Sequence, residues 1–292
     1  MDKKAIVEKR LASLRTYLDD NGLDGAMLNS YENYRYFSLF TGSNGYLVVT
    51  KDKVALVTDK RYTTQALMET VDCEVIEHAA NRLELVADTI KKMGIKRIVM
   101  EEGMAVGEYF ALKEKLADTE VVFESEYFLE IRMVKDEEEI GHIRDAIRCA
   151  EGGFEKLIPK LKIGMTEKDL ADELHYLVSK EGAEAMSFGT IVASGPRGAM
   201  AHGVPTEKVI ENGDMVVVDF GVMKDGYCSD MTRTLLFGDI SKEDQYIFDL
   251  VRESQIAAIN ATRPGVLARE VEQAHRDVFL KAGLEDYAPE VM

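Results

Sequence analysis

Cysteine is scarce and scattered. Cys73, Cys149 and Cys228 are the three in 292 residues, and none has a neighbour at a paired spacing. A disulfide-built extracellular scaffold is therefore excluded, and a reducing, cytoplasmic compartment fits better. The amino terminus, Met1-Asp2-Lys3-Lys4-Ala5-Ile6-Val7-Glu8, lacks the apolar core of a secretory signal. No stretch approaches the run of about 18 apolar residues that a membrane span needs, so no membrane partner is expected. Positive charge is short: 36 Lys and Arg against 53 Asp and Glu leave a formal net charge of −17. A phosphate backbone would be repelled, so nucleic acid is not an expected partner. Short-period repeats and low-complexity tracts are absent, and the first half holds no phosphate-cradling glycine loop. His275, beside Glu272 and Asp277, lacks the His-Glu-x-x-His spacing of a helical zinc site and reads as a surface residue.

What is present has two-domain length, on a prior of about 150 residues per domain. Ile6, Leu11, Leu14 and Leu18 recur at helical spacing, which predicts an amphipathic helix ending near Asn21-Gly22. Apolar runs at 26–28, 46–49, 54–57, 73–76, 97–100 and 120–123 read as strands, the second and third as a hairpin around Lys51-Asp52-Lys53. Helical patterns at 61–69, 83–93 and 106–116 fall between the later strands. This alternation predicts an α/β domain over 1–125. The tyrosine-rich run 31–37 reads as core packing, each ring burying an apolar body behind a polar tip. Residues 124–134 bridge to a second domain, 126–292. There Asp136 caps a helix whose positive end suits Glu137, Glu138 and Glu139. Ile140, Ile143, Ala146 and Ile147 form its apolar face, with His142 toward solvent. Thr166-Glu167-Lys168-Asp169 has the form of a capping box and opens a helix on which the lone His175 reads as structural or exposed. Ser241-Lys242-Glu243-Asp244 opens another, and a last helix over 268–282 stops at Gly283.

The distinctive stretch is 215–234. An apolar, β-branched run passes through Asp219, turns at Lys224-Asp225-Gly226 and returns through Asp230. Asp-Gly between two such runs predicts a β-hairpin. A turn centred on Lys224-Asp225 makes Asp219 and Asp230 direct partners. One centred on Asp225-Gly226 shifts the register by two and makes them diagonal partners. Either way both carboxylates fall on one face, because partners share a face and alternation has period two. In a ribbon expected to be mostly buried, such a pair repels itself unless neutralised. One acid could face solvent or pair with Arg233. Alternatively, two divalent cations about 3.5–4 Å apart could sit between them and hold a hydroxide for hydrolysis. Cys228, close by, reads as a buried structural thiol. His202 stands ahead of the hairpin in a loop flanked by glycines, and loops on rigid scaffolds often carry function.

These residues also carry a resemblance. Val-Asp-Phe-Gly at 218–221 with Gly-Tyr-Cys-Ser-Asp-Met-Thr-Arg-Thr at 226–234 resembles the first metal-binding hairpin of the pita-bread metallopeptidases, family M24. Ala193-Ser194-Gly195-Pro196 and Ala201-His202-Gly203-Val204-Pro205 resemble that family's substrate-binding segment. Residues 33–43 and Thr58-Asp59-Lys60-Arg61-Tyr62 resemble the amino-terminal domain of Xaa-Pro aminopeptidases and Xaa-Pro dipeptidases. The motifs stand in the family's order along nearly the whole chain.

The resemblance implies a creatinase-like α/β domain (1–125) followed by an α+β pita-bread catalytic domain (126–292). It implies Asp219 and Asp230 as ligands of two divalent ions, Mn²⁺ first, with Co²⁺ or Zn²⁺ as alternatives. A metal-bridging hydroxide would cut the Xaa-Pro bond of peptides with proline second, and His202 would be the catalytic, substrate-binding histidine. A homodimer is also implied. An extra amino-terminal domain argues against methionine aminopeptidase, and both acids together argue against a creatinase-like amidinohydrolase. The alternative is an inactive peptidase-like fold that binds peptides or protein partners. The pattern breaks after Tyr287, where the family's Gly-His-Gly segment and two later glutamates are expected. The chain passes to Ala288-Pro289-Glu290-Val291-Met292 instead. The catalytic domain is therefore expected to be incomplete at its C-terminus, with residues lost near Tyr287–Ala288 and weak metal binding as the consequence.

Overall fold

The computed structural model describes residues 2–287, which fall into two units divided between Glu138 and Glu139. The first unit runs α1 (Lys3–Asp20), β1 (Gly25–Leu28), α2 (Tyr31–Ser38), β2 (Tyr46–Thr50), β3 (Val54–Asp59), α3 (Thr63–Glu69) and β4 (Glu74–His78). It continues through α4 (Arg82–Lys92), β5 (Arg97–Met100), α5 (Val106–Lys115), β6 (Glu120–Phe123) and α6 (Glu126–Met133). The strands make one mixed sheet in the order β4-β3-β2-β1-β5-β6. Pairing is antiparallel across β1–β2 and β2–β3 and parallel elsewhere.

Both faces of that sheet are covered. Leu28, Leu47 and Leu56 share one core with Leu11 and Leu14 of α1 and Phe37 of α2. Met27, Val48 and Ile98 share the other with Val86 and Ile90 of α4 and Leu112 of α5. Double coverage is why these strands read as unbroken apolar runs without alternation. The tyrosine-rich run is itself α2, capped by the Ser30 side chain. Tyr34 is buried there and its hydroxyl donates to the Gly42 carbonyl at 2.6 Å. Residues 124–134 are no open bridge. α6 inserts Phe128 into the first core, and the division between units falls after Glu138, later than the 125/126 boundary read from the sequence.

The second unit holds α7 (Glu137–Leu157), α8 (Glu167–Lys180), β7 (Ala185–Met186), β8 (Ile191–Ser194), β9 (Met215–Phe220) and β10 (Val222–Lys224). β11 (Tyr227–Cys228), β12 (Met231–Leu236), α9 (Lys242–Ala261) and α10 (Ala268–Lys281) follow. Its strands form two small sheets, β12-β9-β8 and β11-β10-β7. Val216, Val218 and Phe220 of β9 pack with Val192 of β8 against α7 and α8. The buried stripe of α7 is Ala146, Cys149, Ala150 and Gly153, whereas Ile147 is 40% exposed. Small residues win because the helices approach backbone to backbone: a Cβ on Gly153 would lie 2.9 Å from the Val178 N and Cα. His142 does not simply face solvent either, since its ring stacks on Tyr227 at 5.2 Å between centroids.

Candidate active site

Asp219 pairs across the ribbon with Thr232, and Phe220 with Met231. Past a short break, Met223 pairs with Cys228 and Lys224 with Tyr227, in the same register. The turn is centred on Asp225-Gly226, whose φ values of 49° and 70° are both left-handed. That is the two-residue geometry for which Asp-Gly is suited, because neither residue carries a branched Cβ. The Glu184 carboxylate accepts the Asp225 and Gly226 amides at 3.1 and 3.3 Å. Asp219 and Asp230 are thus diagonal partners. Asp230 stands in the break between β11 and β12, at the position opposite Gly221 in this register.

Their exposure differs from the expectation of a largely buried ribbon. Burial along β9 alternates, with Val216, Val218 and Phe220 enclosed and Met215, Val217 and Asp219 half-buried on the other side. Asp230 is exposed. Among the described residues, helices α7 and α8 pack the face of Val216, Val218 and Phe220, and Asp219 and Asp230 both meet water, which screens their charges. Cys228 is exposed too, which corrects its reading as a buried structural thiol. It belongs to the part of the return strand outside the packed face.

One neighbour of Asp219 was not singled out from the sequence. Thr232, directly opposite, donates its hydroxyl to Asp219 Oδ1 at 2.6 Å. That bond fixes the carboxylate's rotation and leaves the other oxygen for a ligand. Groups that orient a ligating carboxylate tune affinity for a cation. Thr232→Val should weaken Mn²⁺ binding by about tenfold, read as a rise in the calorimetric dissociation constant.

His202 lies in an exposed turn after a short 3₁₀ segment, Gly195–Ala199. Its neighbour Gly203 is buried against β8: a Cβ there would sit 2.9 Å from the Ala193 Cβ. Ala193 pairs with Val217 and Ile191 with Asp219, so Ala193 is on the same sheet face as Asp219. The His202 loop therefore crosses the face that carries Asp219. A glycine at 203 is what permits so close an approach.

The anchor of this loop also escaped the sequence reading, which saw in residues 166–169 only a capping box. The box is present between Thr166 and Asp169. Glu167, one residue into the helix, is fully buried and accepts from Ser194, Arg197 and Thr206. Burial pushes its carboxyl up, but the donors from Thr206 and Ser194 outweigh that and hold it below the usual carboxylate range.

Among the described residues, no three His, Cys, Asp or Glu side chains come together as a metal-binding group. His175 Nε2 meets the Thr190 hydroxyl at 2.7 Å, a structural contact. His275 is partly buried on α10 with a buried Nδ1, not a plain surface residue. The expected junction at Ala288 and everything after it lie outside the described residues. Asp219 and Asp230 fit the anionic, hard-oxygen part of a divalent-cation site, the chemistry Mn²⁺ favours over soft thiolate sites.

Residues 141–292 match the metallopeptidase family M24, and residues 10–134 match the creatinase/prolidase N-terminal domain. The chain belongs to family M24. The M24 chain is 37% identical over 279 residues to the peptidase YqhT of Bacillus subtilis, covering 95% of this chain and 79% of that one. Its fold is similar to that of a Xaa-Pro dipeptidase from Bacillus anthracis, with TM-score 0.91, 34% identity, and 96% and 79% of the two chains covered. An X-Pro aminopeptidase from Thermotoga maritima gives TM-score 0.88, 33% identity, and coverage of 95% and 79%. The architecture is thus a creatinase-type N-terminal domain followed by a pita-bread domain, the class read from the sequence. Among the described residues, no helix is long and apolar enough to cross a membrane.

Proposed function

We propose that this M24 peptidase hydrolyses the Xaa-Pro bond of short peptides, as the names of its relatives suggest, with divalent cations held by Asp219 and Asp230. The observation that supports the reading is the register: Asp219 and Asp230 are diagonal positions of the ribbon, and the His202 loop lies across the face that holds Asp219. Bound divalent ions there would supply Lewis-acid polarisation of the peptide carbonyl and a water acidic enough to attack at neutral pH. Thr232 holds Asp219 in one rotamer through its hydroxyl. His202 donates a ring N–H to the carbonyl oxygen or the leaving nitrogen as charge develops. Mn²⁺ is the proposed ion, and a homodimer follows from the resemblance of the N-terminal unit. A cytoplasmic location is supported by three widely spaced thiols.

The test compares Xaa-Pro dipeptides with the same dipeptides carrying alanine second, with and without added Mn²⁺. Metal-dependent cleavage confined to the proline series is the expected result. Stoichiometric peptide binding with no turnover in any metal would replace this reading with the peptide-binding one.

A further inference from the structure

Glu167 joins segments that are far apart in sequence. Its Oε1 accepts the Ser194 amide at 2.8 Å and the Ser194 hydroxyl at 2.9 Å. Its Oε2 accepts the Thr206 amide at 3.0 Å and the Thr206 hydroxyl at 2.7 Å. Arg197 Nε donates to both oxygens at 3.1 Å, and Arg197 Nη2 reaches on to the Val204 carbonyl at 2.8 Å. One buried carboxylate therefore grips the loop that bears His202 at its start, through Ser194, and at its end, through Thr206. Arg197 closes a second, inner tie between them.

A buried ion pair is a poor way to gain stability, since desolvation offsets most of the attraction. An apolar contact would staple the loop as well. What a carboxylate with several directional donors adds is a single geometry, because each donor must point at a particular lone pair. Closing both ends also removes most of the loop's freedom in advance. We propose that Glu167 is the positioning residue for His202, setting through Ser194, Arg197 and Thr206 where the imidazole stands over the Asp219 face. The assignment rests on the substrate-binding role proposed for His202.

Two measurements test it on the full chain. The five histidines, His78, His142, His175, His202 and His275, give imidazole C2–H signals by NMR, and the His202 signal is identified by its loss in His202→Ala. Glu167→Gln keeps the side chain's size but sets an NH₂ group against N–H donors. It should move or broaden the His202 signal and leave those of His78, His142 and His275 in place. Thr206→Val, which removes one of Glu167's side-chain donors and the acceptor of the Lys208 amide, should move the same signal less and guards against misfolding of the first variant. An unchanged His202 signal in both, or equal movement of all histidines, overturns the proposal.

The second measurement is a double-mutant cycle on Xaa-Pro hydrolysis with Mn²⁺. Glu167→Gln should lower kcat/KM by about 10- to 100-fold, the scale of a displaced positioning group. It should have no further effect in the His202→Ala background. Multiplying effects would overturn the positioning role while leaving His202 in place. Full activity of His202→Ala would instead remove the reading on which it rests.

Discussion

Asp219→Asn is expected to reduce metal-dependent Xaa-Pro hydrolysis by about three orders of magnitude, equivalent to roughly 4 kcal/mol of transition-state stabilisation. The argument is electrostatic. Of the two hairpin acids, Asp219 is the one on a paired strand, with Thr232 bonded to its Oδ1. Asparagine keeps the shape and one carbonyl oxygen but removes the charge that a hard dication needs. The face is half open, so the loss is not softened by release of a buried repelling pair. Stability should change little, since Asp219 lies off the enclosed side of β9. Calorimetry with Mn²⁺ and a dipeptide assay on the same preparation check both parts. Retention of more than a tenth of the activity together with normal Mn²⁺ affinity would remove Asp219 from the site.

How much of this was legible in the sequence depends on the range of the interaction. Local signals read well. The Asp-Gly turn, the Thr166 capping box and the helix over Ile6–Leu18 are each decided by neighbours a few residues apart, where backbone sterics and side-chain capping act. The family's motifs point to the two acids and His202 as the proposed site. The sequence alone leaves the register between two choices, because both satisfy alternation; the cross-strand pairs and the left-handed φ values at Asp225 and Gly226 decide it. Burial on the open face was misread, since a β-branched run looks the same whether one face or both are covered. Glu167 was invisible: as one letter of a capping box it resembles any first-turn acid, and its partners at 194, 197 and 206 come near only when β8 and the loop fold onto α8. Thr232 escaped for the same reason, being defined by a cross-strand register and not by its neighbours in sequence.

Gly221→Ala should cost more stability than any other single-methyl addition near the site. Gly221 lies between Asp219 and the turn, opposite Asp230, where the ribbon passes from one small sheet to the other. A Cβ at this position would fall inside the van der Waals radii of the Ser229 carbonyl oxygen and the Ser187 hydroxyl oxygen, and 2.8 Å from the Ser229 carbonyl carbon. The Ser187 side chain can turn away, but Ser229 cannot. Its amide donates to the Val222 carbonyl at 2.9 Å, and its hydroxyl accepts the Val222 amide at 3.0 Å, tying the return strand to the ribbon on the packed side. The added methyl must therefore push the two strands apart where they hold the acids, and overpacking of this kind costs about 1–3 kcal/mol, more where backbone is the obstacle. The strand that yields carries Asp230, so Mn²⁺ affinity should fall along with the urea midpoint. Thr232→Val would weaken metal binding with the midpoint nearly unchanged. Loss of both together in Gly221→Ala, against loss of affinity alone in Thr232→Val, would show that the crossing at Gly221 sets the spacing of the two carboxylates. A Gly221→Ala protein with wild-type midpoint and affinity would mean that the strands can part there without moving Asp230.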